Sequence, residues 1–207
     1  RLLDDRLLLA RAVAHGLDAS LSSTMVALGR LAGDLPDDPA AASARLHQFR
    51  FQSPFRDAVY LLDAQGRLVA GDPAGLVPLD RQWLGAHESI TPLVRKPGAE
   101  AQPVLAAVQP FRREGRPHFL VAEMHVRTSA LSTFLEDLTP PGGLRVLLVD
   151  TQGVVVAAQD ASQVLQVLPD GPAYGDRIRA SRPLVLSESA GLLSVMAPLR
   201  YASWGVI

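Results

Sequence analysis

The sequence predicts an α+β chain: one long N-terminal helix, then two related modules in tandem, each built on an antiparallel β-sheet. Three observations predict it. A stripe of apolar and small residues runs at helical spacing from Leu3 to Leu31. The stretch VYLLDAQGRLVAGDP at 59–73 returns as VLLVDTQGVVVAAQD at 146–160, with seven of the fifteen positions identical. A second echo, LAAVQPFR at 105–112 and LSVMAPLR at 193–200, follows in the same order, offset by 88 positions against 87 for the first. Two echoes in one order at nearly one spacing mark a duplicated architecture.

The helical stripe is Leu3, Leu7, Ala10, Ala14, Leu17, Leu21, Leu28 and Leu31, interrupted only by Thr24. Steps of four and three keep these positions on one side of a helix. No proline precedes Pro36, so one helix is expected over residues 1–33. At 1.5 Å per residue it would reach about 50 Å, longer than a small domain is wide. It packs along its own domain on this reading, and the same stripe at heptad spacing also suits a second copy of the chain. DLPDDP at 34–39 breaks the helix. AAASARLHQFRFQ then reads as a shorter helix, with Asp38 or Pro39 near its start.

The repeated stretch reads as a β-hairpin. VYLL and RLVA are strand-like, and DAQG between them supplies turn chemistry; VLLV, DTQG and VVVA follow the same plan. Each hairpin is followed by a connector and then a closing strand pair. The first pair is QPVLAAVQP and HFLVAEMHV, joined by FRREGRP; the second is GLLSVMAPL and WGVI, joined by RYAS. The first connector, residues 74–101, holds a helical turn within LDRQWLGAHESITPLV. The second, residues 161–189, carries Pro169, Pro172 and Pro183 and is expected to be mostly irregular. TSALSTFLEDLTPPGG gives a short helix ended by Pro140, Pro141 and the glycines, which places the boundary between modules. The organisation is therefore a helical segment 1–53, a first module 54–138 and a smaller second module 139–207.

Composition narrows the function classes. Of 207 residues, 48% are hydrophobic and 20% charged. That is enough apolar material for a packed core. A net charge of −1 leaves no electrostatic footprint for nucleic acid. The chain has no cysteine, which removes disulfides, thiolate catalysis and the usual structural zinc sites. No run of eighteen apolar residues spans a bilayer, and no signal peptide opens the chain. The start at Arg1 and the apolar end WGVI are those expected of a piece of a longer protein. The histidines, at 15, 47, 87, 118 and 125, form no HxxxH, HxH or HExxH pattern. There is no G-x-S-x-G elbow and no glycine-rich phosphate loop. No catalytic residue, metal or cofactor is expected.

A long leading helix, a shorter second helix, FRDAVYLLDAQGRLVAGDP, LDRQWLGAH, PVLAAVQPFRREGRP and a reduced second copy ending in APLRYASWGVI occur here in this order. The combination resembles the double Cache sensor domains, which are PAS-like, and the resemblance covers essentially the whole chain. It implies an extracytoplasmic sensing domain of a bacterial transmembrane receptor, periplasmic or extracellular at the cell inner membrane. Membrane helices would flank the fragment. The output would be a histidine kinase first, with a chemoreceptor or diguanylate cyclase as the other forms. The first module would be membrane-distal and would hold the small-molecule pocket, and the long helix would make a homodimer.

The same resemblance points to the site. In the amino-acid-binding branch an Arg-x-Trp-Tyr pattern grips the ligand carboxylate, and an aspartate late in the last strand of the first module takes the ammonium. Arg81 and Trp83 match the first pattern, with Leu84 in place of the tyrosine; His125 stands where the aspartate aligns. A guanidinium offers a carboxylate a bidentate fork of donors. Histidine in place of an acid would favour an anionic group, so a dicarboxylate or another organic anion stands beside an amino acid as ligand. Strand alternation puts Glu123 on the face of His125, so a carboxylate also lines the pocket. Each residue has a plainer reading. Arg81 would pair with Asp80 at the surface, Trp83 would fill the core, and His125 would be a satisfied strand residue. Trp204 reads as packing. The rival to a membrane receptor is a cytosolic tandem PAS-like regulatory or dimerisation module without a small-molecule ligand. A sensor that works through a periplasmic binding protein or through dimer geometry is a further alternative.

Overall fold

The helix expected over 1–33 is α1, Leu2–Asp34, in a computed structural model that describes residues 2–84, 89–91, 93–96, 103–128, 130–138, 145–187 and 193–207. Its striped positions Ala10, Ala14, Leu17, Leu21, Leu28 and Leu31 are all buried, and so is Thr24. The second helix, α2, is Pro39–Arg50. Asp38 caps it, its carboxylate accepting the Ala41 N–H at 2.8 Å, as an N-cap acid does. Pro39 sits in the first turn, where no N–H is missed.

The strands fall into two separate antiparallel sheets of matching order. The first contains β1 (Ala58–Leu62), β2 (Leu68–Asp72), β3 (Ser89–Ile90), β4 (Val94–Arg95), β5 (Pro103–Arg113) and β6 (Arg116–His125), in the order β2-β1-β6-β5-β3, with β4 also on β5. The second contains β7 (Leu147–Asp150), β8 (Val155–Ala158), β9 (Leu184–Ser187), β10 (Leu193–Pro198) and β11 (Trp204–Val206), in the order β8-β7-β11-β10-β9. The two repeated hairpins therefore open different sheets at equivalent places. The expected closing pairs are β5–β6 and β10–β11.

The repeated letters D-x-Q-G make the same turn twice. Asp63 Oδ1 accepts the N–H groups of Gln65 and Arg67 at 2.9 and 3.0 Å; Asp150 Oδ1 accepts those of Gln152 and Val154 at 2.8 and 2.9 Å. Gly66 and Gly153 take φ of +79° and +76°. This is the left-handed region that side-chain-bearing residues avoid. Both hairpins shift register just before the turn, at Leu61/Leu62 and Leu148/Val149. Burial raises the Asp63 carboxyl, but the hydrogen bonds from Arg67 and Gln65 and the Arg67 charge together outweigh it and hold the group below its ordinary range.

The connectors differ between the copies. In the first, Arg81–Trp83 form a 3₁₀ turn, as expected, capped by the Asp80 carboxylate on the Gln82 N–H at 3.3 Å. The second is more regular than expected: Gly171–Arg179 form a helix, α4. Pro172 lies in its first turn, where proline starts a helix rather than breaking one. Gly175 is needed there too, since a Cβ would collide with the Thr151 carbonyl oxygen. The short helix after the first sheet is α3, Ala130–Leu138. Pro140 and Pro141 lie outside the described residues.

The chain divides into two compact units, residues 22–128 and residues 1–21 with 129–207. In the unit of the first sheet, Gly29 of α1 lies beside the Gln109 side chain on β5, and α2 packs on β1 and β2. Asp72 on β2 forms an ion pair with Arg50, Nε to Oδ2 at 2.6 Å, and lies 3.1 Å from His47 Nδ1, which fixes α2 to the sheet. In the other unit, Asp18 of α1 is buried and its Oδ1 accepts the N–H groups of Arg200 and Tyr201 at 2.9 and 3.0 Å, which ties the helix to the turn between β10 and β11. Trp204 is 1% exposed there and serves as packing.

Candidate functional site

One face of the first sheet carries Ala58, Tyr60 and Leu62 from β1, Val104, Ala106 and Val108 from β5, and Val121 from β6, with Leu79 and Leu84 from the connector packed over them. These alternate positions are what the two-residue period of a strand requires. Glu123 continues the β6 series and is wholly buried. Its cross-strand neighbours are Ala58 on β1 and Ala106 on β5. Two methyl groups beside a carboxylate leave space above it that larger neighbours would fill.

That space is filled by polar groups of the chain itself. The Tyr60 hydroxyl donates to Glu123 Oε1 and accepts the Leu79 N–H at 2.9 Å. Lys96 Nζ donates to Glu123 Oε2 at 2.6 Å and stands 5.9 Å from the centre of the Tyr60 ring. Burial first, and then the charge and hydrogen bond of Glu123, push the Tyr60 phenol far above its ordinary range, so it remains a donor. An isolated carboxylate buried in this position would be costly; pairing and two charge-assisted hydrogen bonds make it tolerable. Thr91 pins the connector nearby, its hydroxyl accepting the Ala106 N–H at 3.0 Å and its own N–H donating to the Ala106 carbonyl at 2.8 Å.

Among the residues singled out from the sequence, Glu123 lies at the centre of this network. His125 follows on the same strand, half-buried, its backbone N–H donating to Asp57 Oδ2 at 2.6 Å. Trp83 is half-buried and packs on the apolar cluster that includes Tyr60. Arg81 is exposed, and its Cβ lies beside Gly66 at the tip of the first hairpin. Sequence reasoning missed Tyr60 and Lys96. A signal for each was present. Tyr60 is matched in the second copy by Leu147, a change from phenol to aliphatic chain in an otherwise similar strand. Lys96 is the single lysine of the chain.

A separate open cavity of about 370 Å³ lies between the tips of the β1–β2 and β5–β6 hairpins, lined by Asp37, Asp63, Arg67, Arg113, Arg116 and His118 among others. Its arginines Arg67 and Arg113 already pair with Asp63 and Asp37.

Solved structures match this arrangement over nearly its whole length. The ligand-binding domain of the Pseudomonas fluorescens chemoreceptor CtaA in complex with L-serine superposes with a TM-score of 0.68 at 20% identity, covering 99% of this chain and 95% of that one. The chain has the double Cache fold. The ligand-binding domain of the Pseudomonas aeruginosa amino acid chemoreceptor PctB in complex with L-Arg gives 0.67 at 20% identity, covering 99% and 93%. An extracellular ligand-binding receptor from Desulfohalobium retbaense gives 0.71 at 13% identity, covering 98% of this chain and 39% of that one. No protein-family model and no curated protein matches the chain. The site above sits in the first of the two sheet-bearing modules of this fold.

Proposed function

We propose that the chain is the extracytoplasmic small-molecule sensing domain of a bacterial transmembrane signalling receptor, and that its first module binds an amino acid or a small organic anion beside Glu123. The observation that carries this reading is the buried polar cluster of Glu123, Tyr60 and Lys96 in an otherwise apolar sheet face. A stable core does not need it, because apolar residues of similar volume serve packing equally well. Convergent polar groups within an apolar cluster are the usual form of a small-molecule site. The similar chemoreceptor domains were solved with amino acids bound, and one, PctC, with GABA. Trp83 packs on the same apolar cluster, His125 follows Glu123 on β6, and Arg81, the carboxylate anchor expected from the sequence, is exposed beside Gly66 at the first hairpin tip.

The test is a thermal-shift screen of amino acids, carboxylates and amines. A ligand of the folded state raises the melting temperature by mass action. For a carboxylate-bearing hit, Arg81→Ala is expected to weaken binding by about tenfold or more, the cost of one charge-assisted hydrogen-bonding partner. A hit indifferent to Arg81→Ala removes that anchor, and a screen without hits removes the ligand site.

The receptor reading carries a dimer with it. Leu8 and Val26 on α1 are 62% and 52% exposed. Eighteen residues separate them, a whole number of helical turns, so they lie on one side of the helix. The apolar stripe expected to serve a second copy is buried within the chain from Ala10 to Leu31, so this other face is the one through which α1 would meet it. Receptor output as a histidine kinase, chemoreceptor or diguanylate cyclase, and anchoring by flanking membrane helices, belong to the same proposal. Sedimentation equilibrium checks the dimer: Leu8→Asp with Val26→Asp is expected to shift the chain to monomer, and an unchanged mass excludes this face.

A further inference from the structure

Arginine supplies every permanent positive side chain of this protein except one, and the exception is Lys96. Its ammonium meets both a carboxylate oxygen of Glu123 and the ring of Tyr60. We propose that Lys96 is a built-in occupant of a cation subsite formed by Glu123 and Tyr60, and that the ligand of this module is a small primary ammonium compound that displaces it. The inference rests on the reading of the Glu123 cluster as the ligand site.

Four features support exchange of one cation for another. First, the acceptors suit a compact ammonium: one carboxylate oxygen and one aromatic ring present a point-like negative region, where a planar guanidinium would seek a fork. Second, the Lys96 side chain is partly exposed and that of Glu123 is not, at 16% and 1%. Third, among the described residues β4 pairs with β5 at Val94 with Val104 and Arg95 with Pro103, and Pro103 has no N–H to give. Fourth, buried Glu123 cannot lose its cation without a large penalty, so Lys96 leaves at low cost only when another cation arrives. An entering carboxylate would meet the Glu123 charge instead.

A tethered ammonium competes at an effective concentration in the millimolar range. Lys96 therefore lowers the affinity of every amine that uses the subsite, and its removal raises that affinity. Its release also frees β4 from the Glu123 face, so occupancy changes the connector that covers the sheet.

The test uses protein labelled with ¹⁵N at lysine, which gives a single side-chain ammonium signal. Saturation with n-butylammonium chloride is expected to move that signal to the position of a solvated lysine, and sodium butyrate is expected to leave it in place. Lys96→Met, which keeps the apolar stem, is expected to bind n-butylammonium about tenfold tighter or more than the parent chain. Its melting temperature should fall without amine and recover with it. Binding of n-butylammonium with the Lys96 signal unmoved, or with equal or weaker affinity for Lys96→Met, overturns the proposal and leaves the ligand site standing. Butyrate binding that disappears in Lys96→Met makes the lysine an anion anchor and also overturns it. If amines, amino acids and carboxylates alike fail to bind either protein, the ligand site itself falls and the proposal with it. Should Lys96→Met not fold, the signal of the parent chain decides alone.

Discussion

Glu123→Ala is expected to destabilise the unit of residues 22–128 by about 3–5 kcal/mol, the range for removing one partner of a buried ion pair. The substitution leaves the Lys96 ammonium and the Tyr60 hydroxyl without their acceptor at a place that is otherwise apolar. The loss of methylene packing is the smaller part. A double substitution separates the two contributions. Glu123→Leu with Lys96→Met removes both charges together and is expected to recover most of the stability, because replacing a buried pair by apolar groups is often neutral. Tyr60 then retains the Leu79 N–H as donor but has no acceptor for its own proton. Denaturant unfolding of Glu123→Leu, Lys96→Met and the double variant forms the cycle. Additive losses would mean that Lys96 and Glu123 do not depend on each other, contrary to the geometry.

Gly153→Ala is expected to cost roughly 2–5 kcal/mol, and Gly66→Ala only about 1–2 kcal/mol, although the two glycines occupy equivalent places in the repeat. Both have positive φ, so both incur the left-handed backbone strain of an L-residue. They differ in what a Cβ meets. At Gly153 it would collide with the Gly171 Cα, backbone of the turn that starts α4. At Gly66 its nearest neighbour is Arg81 Cβ at 3.3 Å, which a small shift relieves. Chemical unfolding followed at Trp204, which lies in the sheet that Gly153 serves, reads the larger loss directly. Equal losses at the two positions would show that the turn conformation alone sets the cost.

Local structure was legible in the sequence, and long-range pairing was not. α1 is visible because the buried positions of its stripe recur at three or four residues. The Asp38 cap and the D-x-Q-G turns are visible because donor and acceptor lie within four residues of one another. α4 was hidden because Pro169, Pro172 and Pro183 read as breakers; only the fold reveals that Pro172 starts the helix and that Gly175 admits the Thr151 carbonyl. The candidate site divides the same way. Glu123 follows from His125 by strand alternation. Tyr60 reads as ordinary strand core, and its hydroxyl gains meaning only from an acceptor 63 residues later. Lys96 lies 27 residues from the same carboxylate, in a connector with no periodic pattern to place it. Arg81 and Trp83 were found by resemblance, and Arg81 sits at the hairpin tip rather than in the polar cluster.

Sensing by this domain requires a small ligand to settle against the Glu123 face of the first sheet. Two-dimensional amide NMR of the ¹⁵N-labelled chain, titrated with the best compound from the thermal-shift screen, tests that requirement most directly. Saturable shifts are expected at Tyr60, Leu79, Ala106 and Glu123, with the resonances of β7, β8, β10 and β11 following later or not at all. Shifts centred on the second sheet, or on the cavity of Arg113, Arg116 and His118, with Tyr60 and Glu123 unmoved, would contradict it.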